Sequence, residues 1–362
     1  MPAKPLTLIV LFLGLPACGS DSPASTESPG DLKGFEVVGK MTISRFLHVA
    51  VQLKNGQVLI AGGTETDRPA HSQADMYHDS AEIFDPERGT SSKAGNLSQA
   101  RIQDSAVLLR DGRVLIKGGL RYPPEIYDPQ AGRFAVLADA HELRRSAATT
   151  VLSTGDIFAT DEGGNAGIID PDTWKYTSTG RMITPRTNHS ATLLQDGRVL
   201  IAGGMSAAGM VKASEIYDPA TNSFAEVGDL NDERRGHDGM LLQDGRVLII
   251  GGRKGDFNSQ DVQNVTSAEF YDPAANRFVP AGDTGLSSIV TAFLLPGGKV
   301  FLLSGGDVAT FDPVTGTTTR TGHSISENRS FYVVTPLNEG RIMLSGGLKD
   351  RVSTDEVLVY SP

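Results

Sequence analysis

One short pattern recurs along this chain of 362 residues, and it constrains the fold more than any other feature. Its clearest copies are Asp196-Gly-Arg-Val-Leu-Ile-Ala-Gly-Gly204 and Asp244-Gly-Arg-Val-Leu-Ile-Ile-Gly-Gly252. Each is followed, after a loop of varying length, by an aromatic-Asp-Pro stop such as Glu215-Ile-Tyr-Asp-Pro219. A turn, an apolar run, a Gly-Gly break and a proline stop describe a small sheet. Such a sheet cannot bury its own apolar face alone, so the copies must stack on one another.

The fourth copy resolves into four strands. Ser190 to Leu194 is the first, and Asp196-Gly197 is a turn of the kind that tolerates positive φ. Arg198 to Ala202 is a second strand with the continuous apolar character of burial on both faces. Ala213 to Tyr217 is the third, stopped by Asp218-Pro219 because proline donates no ladder bond, and Phe224 to Val227 is the fourth. The turn recurs at Asn55-Gly56, Asp111-Gly112, Thr154-Gly155, Asp244-Gly245, Gly297-Gly298 and Glu339-Gly340, which makes seven units. The third copy departs most, with Asp161-Glu162 where Gly-Gly is expected.

The last unit has no fourth strand after Pro362, whereas Phe35-Glu-Val-Val-Gly39 near the front matches Phe224-Ala-Glu-Val-Gly228 in register. The expected fold is therefore all-β. It is a seven-bladed propeller over residues 34–362, closed by an N-terminal strand that completes the last blade and removes two open sheet edges.

The apolar run ending in Gly-Gly, the aromatic-Asp-Pro after the third strand and the aromatic opening the fourth resemble the kelch family of β-propellers. That family includes the propeller domain of galactose-oxidase-like proteins. The resemblance spans essentially all of residues 34–362. It implies that first strands line a central channel, and that the loops before them and after the Gly-Gly share a binding face. It names no function, because kelch domains include enzymes, scaffolds and receptors.

Ahead of the repeats, Lys4 and the apolar stretch Leu6 to Leu15 read as an export signal, too short for the ~20 residues a membrane span needs. It ends in Leu15-Pro16-Ala17-Cys18, which resembles the lipobox of bacterial lipoproteins and implies cleavage after residue 17 and lipidation of Cys18. Two or three acyl chains anchor a protein stably where one does not. Residues 18–33 then form a polar tether, and outer membrane or cell surface is the expected location. Cys18 is the only cysteine, so packing rather than a disulfide must hold the folded body. A net charge of −10 with no basic run excludes nucleic acid as a partner.

A residue present in every copy serves the blade, whereas one present in a single copy is a candidate for function. Before the first strand stand Arg45, Arg101, Arg144, Arg186, Arg234 and Arg329 in register, with Ser288 as the exception. Three residues on come His48, Asp104, Ala147, His189, His237, Thr291 and Tyr332. The arginines admit two roles. Either each pairs with a carbonyl or carboxylate of the neighbouring blade, or together they form a cationic funnel for carboxylates or sulfates. Arg45, His48, Arg101, Asp104, Arg144, Arg186, His189, Arg234, His237 and Arg329 are the candidate ligand-binding residues.

No metal site is expected, because a ring spreads like positions apart, and no cofactor is expected either. Copper radical oxidases with this propeller require a Tyr–Cys crosslink, and Cys18 lies outside the repeats. The long loop Thr64 to Ser80 carries Glu65, Asp67, His71, Asp75, Tyr77, His78 and Asp79 and reads as a solvated surface loop, with a lid or a weak cation site over the channel as the alternative. The expected function is a monomeric, non-enzymatic module binding a protein or an anionic glycan at the Arg-bearing face, touching membrane through its lipid alone. The alternative is a mutarotase- or epimerase-like enzyme acting on an acidic sugar, with His189 or His237 as acid or base.

Overall fold

The first six copies of the repeat each fold into a four-stranded antiparallel sheet with its strands in chain order, and the seventh takes its fourth strand from residues 35–40. The computed structural model describes residues 34–66, 77–102, 105–117, 122–138, 146–255, 261–286, 291–325 and 329–362. The leader, Cys18 and the tether lie outside these, as do Asp104, Arg144 and Ser288 and most of the acidic loop. Among the described residues there is no α-helix, only a 3₁₀ turn at Asn338–Gly340.

In the fourth sheet the strands are Ser190–Leu193, Val199–Ala202, Ser214–Asp218 and Ser223–Val227. Its first turn is closed by Leu194 N–H donating to Arg198 O, with Gly197 at φ 91° where a side chain would be strained. Asp196 caps the turn by accepting from the Arg198 N–H. Sequence and turn chemistry therefore agree residue by residue.

Why the second strand is apolar throughout is visible in its packing. Val199 and Ile201 join the cluster with Phe158 and Tyr217, whose rings stack at 4.6 Å. Leu200 and Ala202 face the other way, into the cluster with Val247, Ile249 and Tyr271. Alternate residues of one strand thus bury against two different sheets, which is why all four are apolar.

The chain gathers into two compact units, one of residues 105–321 and one of residues 34–104 with 322–362. The second unit contains the N-terminal strand. Phe35–Lys40 pairs antiparallel with Glu356–Tyr360, Phe35 opposite Tyr360 and Lys40 opposite Glu356, and adds a fourth strand to Val333–Pro336, Ile342–Ser345 and Glu356–Tyr360. Phe35 meets Tyr360 as Phe224 meets Tyr217, which is the register read from the repeat.

One register differs from expectation. In the sixth sheet Thr291 pairs with Leu303 as Asp238 pairs with Ile250, so Thr291 belongs one position later than the histidines. The cause is an extra residue: Val300–Ser304 runs directly into Asp307–Asp312 through Gly305-Gly306, both at positive φ. There the Gly-Gly makes the hairpin turn itself. In the third sheet, Asp161 accepts from the Asn165 N–H and Nδ2 and closes the same tight connection.

Candidate functional site

The arginines are buried and paired. Arg45 and Arg234 are 0% exposed, Arg101 and Arg186 1%, and Arg329 9%. Arg45 Nη2 donates to Glu82 at 2.9 Å, Arg186 Nη2 to Glu215 at 2.6 Å and Arg234 Nη2 to Glu269 at 2.9 Å, and Arg329 pairs with Glu356. Each glutamate sits on the third strand of the same sheet, not on the neighbouring blade. Glu215 also accepts the N–H groups of Ile183 and Thr184, on the segment leading to Arg186. Burial lowers the pKa of Arg45, Arg186 and Arg234, and the paired carboxylates oppose that shift. A guanidinium enclosed this way has no face left for a ligand, so the cationic funnel is corrected to a structural bolt.

The histidines are bolts of a second kind. Their Nε2 atoms meet hydroxyls on another sheet: His48 with Ser345 at 2.8 Å, His189 with Thr160 at 2.9 Å and His237 with Ser190 at 2.9 Å. Ser190 lies directly across the ladder from Ala202, so the hydroxyl missing at Ala202 is supplied by its partner strand. Burial first, then the adjacent arginine, holds His189 and His237 at about 3, and His48 well below its usual value. Neutral imidazoles fixed this way cannot serve as acid or base near pH 7, which removes the acidic-sugar alternative as it was framed. Asp104, Arg144 and Cys18 lie outside the described residues.

What the structure singles out instead is Asp238. It opens the first strand of the fifth sheet, at a position filled in the other sheets by Val49, Ser105, Ala148, Ser190, Thr291 and Val333. It is therefore a carboxylate found in one copy only. All four residues of Asp238–Leu241 keep contact with solvent, whereas three of four in Ser190–Leu193 are buried. Asp238 Oδ2 accepts from the Ala292 N–H at 3.0 Å, a donor that points away from its own sheet. Burial among protein atoms raises the carboxyl to about 7, and this N–H only partly opposes the rise. No cation contributes to the balance, since Arg234 is committed to Glu269.

Asp238 directly follows His237, and the recurring histidine rank masks it in the sequence. The available signal was a charged residue at a position that is small or apolar in every other copy.

No family model matches the chain, and no curated protein does. Among solved structures it is similar to a fungal alcohol oxidase of the AA5 family in complex with copper, at 17% identity and a TM-score of 0.65, over 92% of this chain and 77% of that one. At that identity the likeness carries the fold, a galactose-oxidase-like β domain, and not the chemistry. It nonetheless overturns one expectation. The neighbour that shares this fold is an enzyme, so the reading as a non-catalytic module for a protein or anionic glycan is withdrawn, and with it the leaning against catalysis.

Proposed function

We propose that the chain is an exported enzyme on a closed seven-bladed kelch-type propeller, anchored by lipid on Cys18, with the Asp238 carboxyl as its reaction centre. The repeated sheets and the pairing of Phe35–Lys40 with the final strand support the ring. The Leu15-Pro16-Ala17-Cys18 motif supports the anchor and an outer-membrane or cell-surface location.

The observation that carries the function is a solvent-touched carboxyl near 7 in a single copy of the repeat. Such a group is present in both protonation states at neutral pH, so it takes a proton from a substrate and returns it in the same turnover. Its one hydrogen bond among the described residues is at Oδ2, which leaves Oδ1 to face the substrate. With no cation beside it the site favours a neutral molecule. The reaction class is a redox-neutral proton transfer on a neutral, oxygen-bearing small molecule, the proton leaving a C–H next to a carbonyl and being replaced there or on the adjacent oxygen.

The copper of the structural neighbour does not fit the residues present. His48, His189 and His237 stand on separate sheets with Nε2 engaged, and among the described residues no three of His, Cys, Asp or Glu gather. No step is routed through a metal.

The test uses the full chain in D₂O with a panel of neutral hydroxyketones and hydroxyaldehydes, following deuterium uptake by NMR. Uptake should rise with pH through about 7 and fall at least ~100-fold in Asp238→Asn. Carboxyl-carbon titration of Asp238 supplies a second readout, with a midpoint near 7. A midpoint near 4, or equal uptake by parent and variant, would sink the proposal.

A further inference from the structure

A second exception in the repeat, independent of Asp238, lies in the unit of residues 34–104 and 322–362. The last residue of the first strand is apolar in six sheets: Leu108, Val151, Leu193, Leu241, Leu294 and Pro336. In the first sheet the same place, opposite Val58, holds Gln52. Its side chain is part-exposed, and Nε2 donates to Gly56 O at 3.1 Å. That bond fixes the amide and leaves Oε1 with no partner among the described residues.

The facing turn of the seventh sheet departs in its own way. Of the seven equivalent turns, only this one places a non-glycine residue, Glu339, in the left-handed region, at φ 62°. Such a conformation persists where the surroundings over-determine it, and it gathers at sites that do work. Arg198 and Arg246 pair with the aspartate of their own turn, whereas their counterpart Arg341 pairs with Glu87 of the first sheet. The Glu339 carboxylate and the Asn338 amide are thereby left without a partner among the described residues. A Cβ on Gly56 would lie 3.8 Å from Asn338 Nδ2, so the two turns stand close together.

Both exceptions line one cleft of about 660 Å³, in which Pro86 supplies the one apolar side chain among the described residues. The volume falls within the ~300–1,000 Å³ of small-ligand sites. No ring is offered for stacking. Asp85 and Glu87 are paired with Arg88 and Arg341, so the unpaired charge is that of Glu339, which repels an anion. Unpartnered amide donors and acceptors beside a carboxylate suit hydroxyls, since each hydroxyl donates and accepts at once. We infer that this cleft binds a neutral saccharide, whose hydroxyls donate to Glu339 and Gln52 Oε1 and accept from Asn338 Nδ2.

The experiment uses the full chain with methyl glucoside, methyl galactoside and methyl mannoside as probes and methyl glucuronoside as the charged control, read by saturation-transfer NMR. The parent should bind a neutral glycoside at least ~10-fold more tightly than the glucuronoside. Gln52→Leu, the residue that four sister strands carry, should melt no lower than the parent. It should weaken the bound glycoside ~3–10-fold, the loss of one neutral hydrogen bond. Glu339→Gly sets the favoured residue at a left-handed position, so it too should melt no lower, and it should weaken the glycoside ~10-fold or more. A parent that binds no neutral glycoside or prefers the glucuronoside, or variants that bind as the parent does, overturns the inference. Methyl glycosides carry no carbonyl for Asp238 to act beside, so failure here leaves that proposal standing, and the reverse holds too.

Discussion

The bolt formed by Arg234 and Glu269 makes an asymmetric prediction. Glu269 takes four donors: Asn231 N–H and Asn231 Nδ2 at Oε2, both at 2.6 Å, and Asp232 N–H at 3.1 Å with Arg234 Nη2 at 2.9 Å at Oε1. Glu269→Gln keeps the shape but puts an NH₂ against two of those donors whichever way the amide turns. It also leaves a fully buried guanidinium without its counter-charge. A broken buried pair costs ~3–5 kcal/mol, and each buried donor left unmatched ~1–3 kcal/mol. These overlap, so about 4–6 kcal/mol is expected in all. Arg234→Met removes the charge that needed pairing. The carboxylate keeps three N–H donors, while Gly251 O, Ser267 O and Ser267 Oγ each lose one contact. About 2–4 kcal/mol should follow. Urea unfolding at pH 7 with unchanged m-values measures both. If Glu269→Gln proves no worse than Arg234→Met, or if both cost under ~1 kcal/mol, the arginine rank is not the bolt described here.

Two further outcomes follow from the same contacts. A Cβ added at Gly39 would lie 2.2 Å from Gly89 O, so Gly39→Ala should cost ~2 kcal/mol or more and raise amide exchange along Phe35–Lys40; unaltered exchange would refute that close approach. His189 and His237 are held at about 3, below the unfolded value of 6.5, so their contribution is present above pH 6.5 and is lost as pH falls toward 3. By linkage each costs about 3 kcal/mol by pH 4.5, so His237→Asn should flatten the fall of the urea midpoint between pH 7 and 4.5, and an equal slope in parent and variant would count against it.

The fold was legible because the repeat states its own physics several times over. Val199–Ala202 is apolar throughout because it packs against two sheets, and Asp196-Gly197 tolerates positive φ. The same redundancy located the missing strand, for Phe35 takes the place opposite Tyr360 that Phe224 takes opposite Tyr217. What sequence could not convey was the spacing in the sixth copy. One added residue before Gly305-Gly306 moved Thr291 out of the histidine rank, and only ladder pairing reveals such a slip.

The candidate site was less legible, because recurrence marks what builds a blade and hides what departs from it. Arginine drew attention by its charge, yet its partner stands in the sequence too: the third strands of the first, fourth, fifth and seventh copies carry Glu82, Glu215, Glu269 and Glu356. A pair that is enclosed cannot also greet a ligand. The histidines failed for the opposite reason, since burial took them out of the pH range where they could act. Asp238 passes both filters. It has no cation to satisfy it, and all four residues of its strand meet solvent, which the first strands of the sister sheets do only in part. A lone carboxyl in that position lowers stability as pH rises from its unfolded value near 4 through 7, because only its neutral form is at ease in the fold. Among the described residues Arg45, Arg186, Arg234 and Arg329 each have a carboxylate partner, so a buried carboxyl with no cation beside it is the position from which a proton can be exchanged.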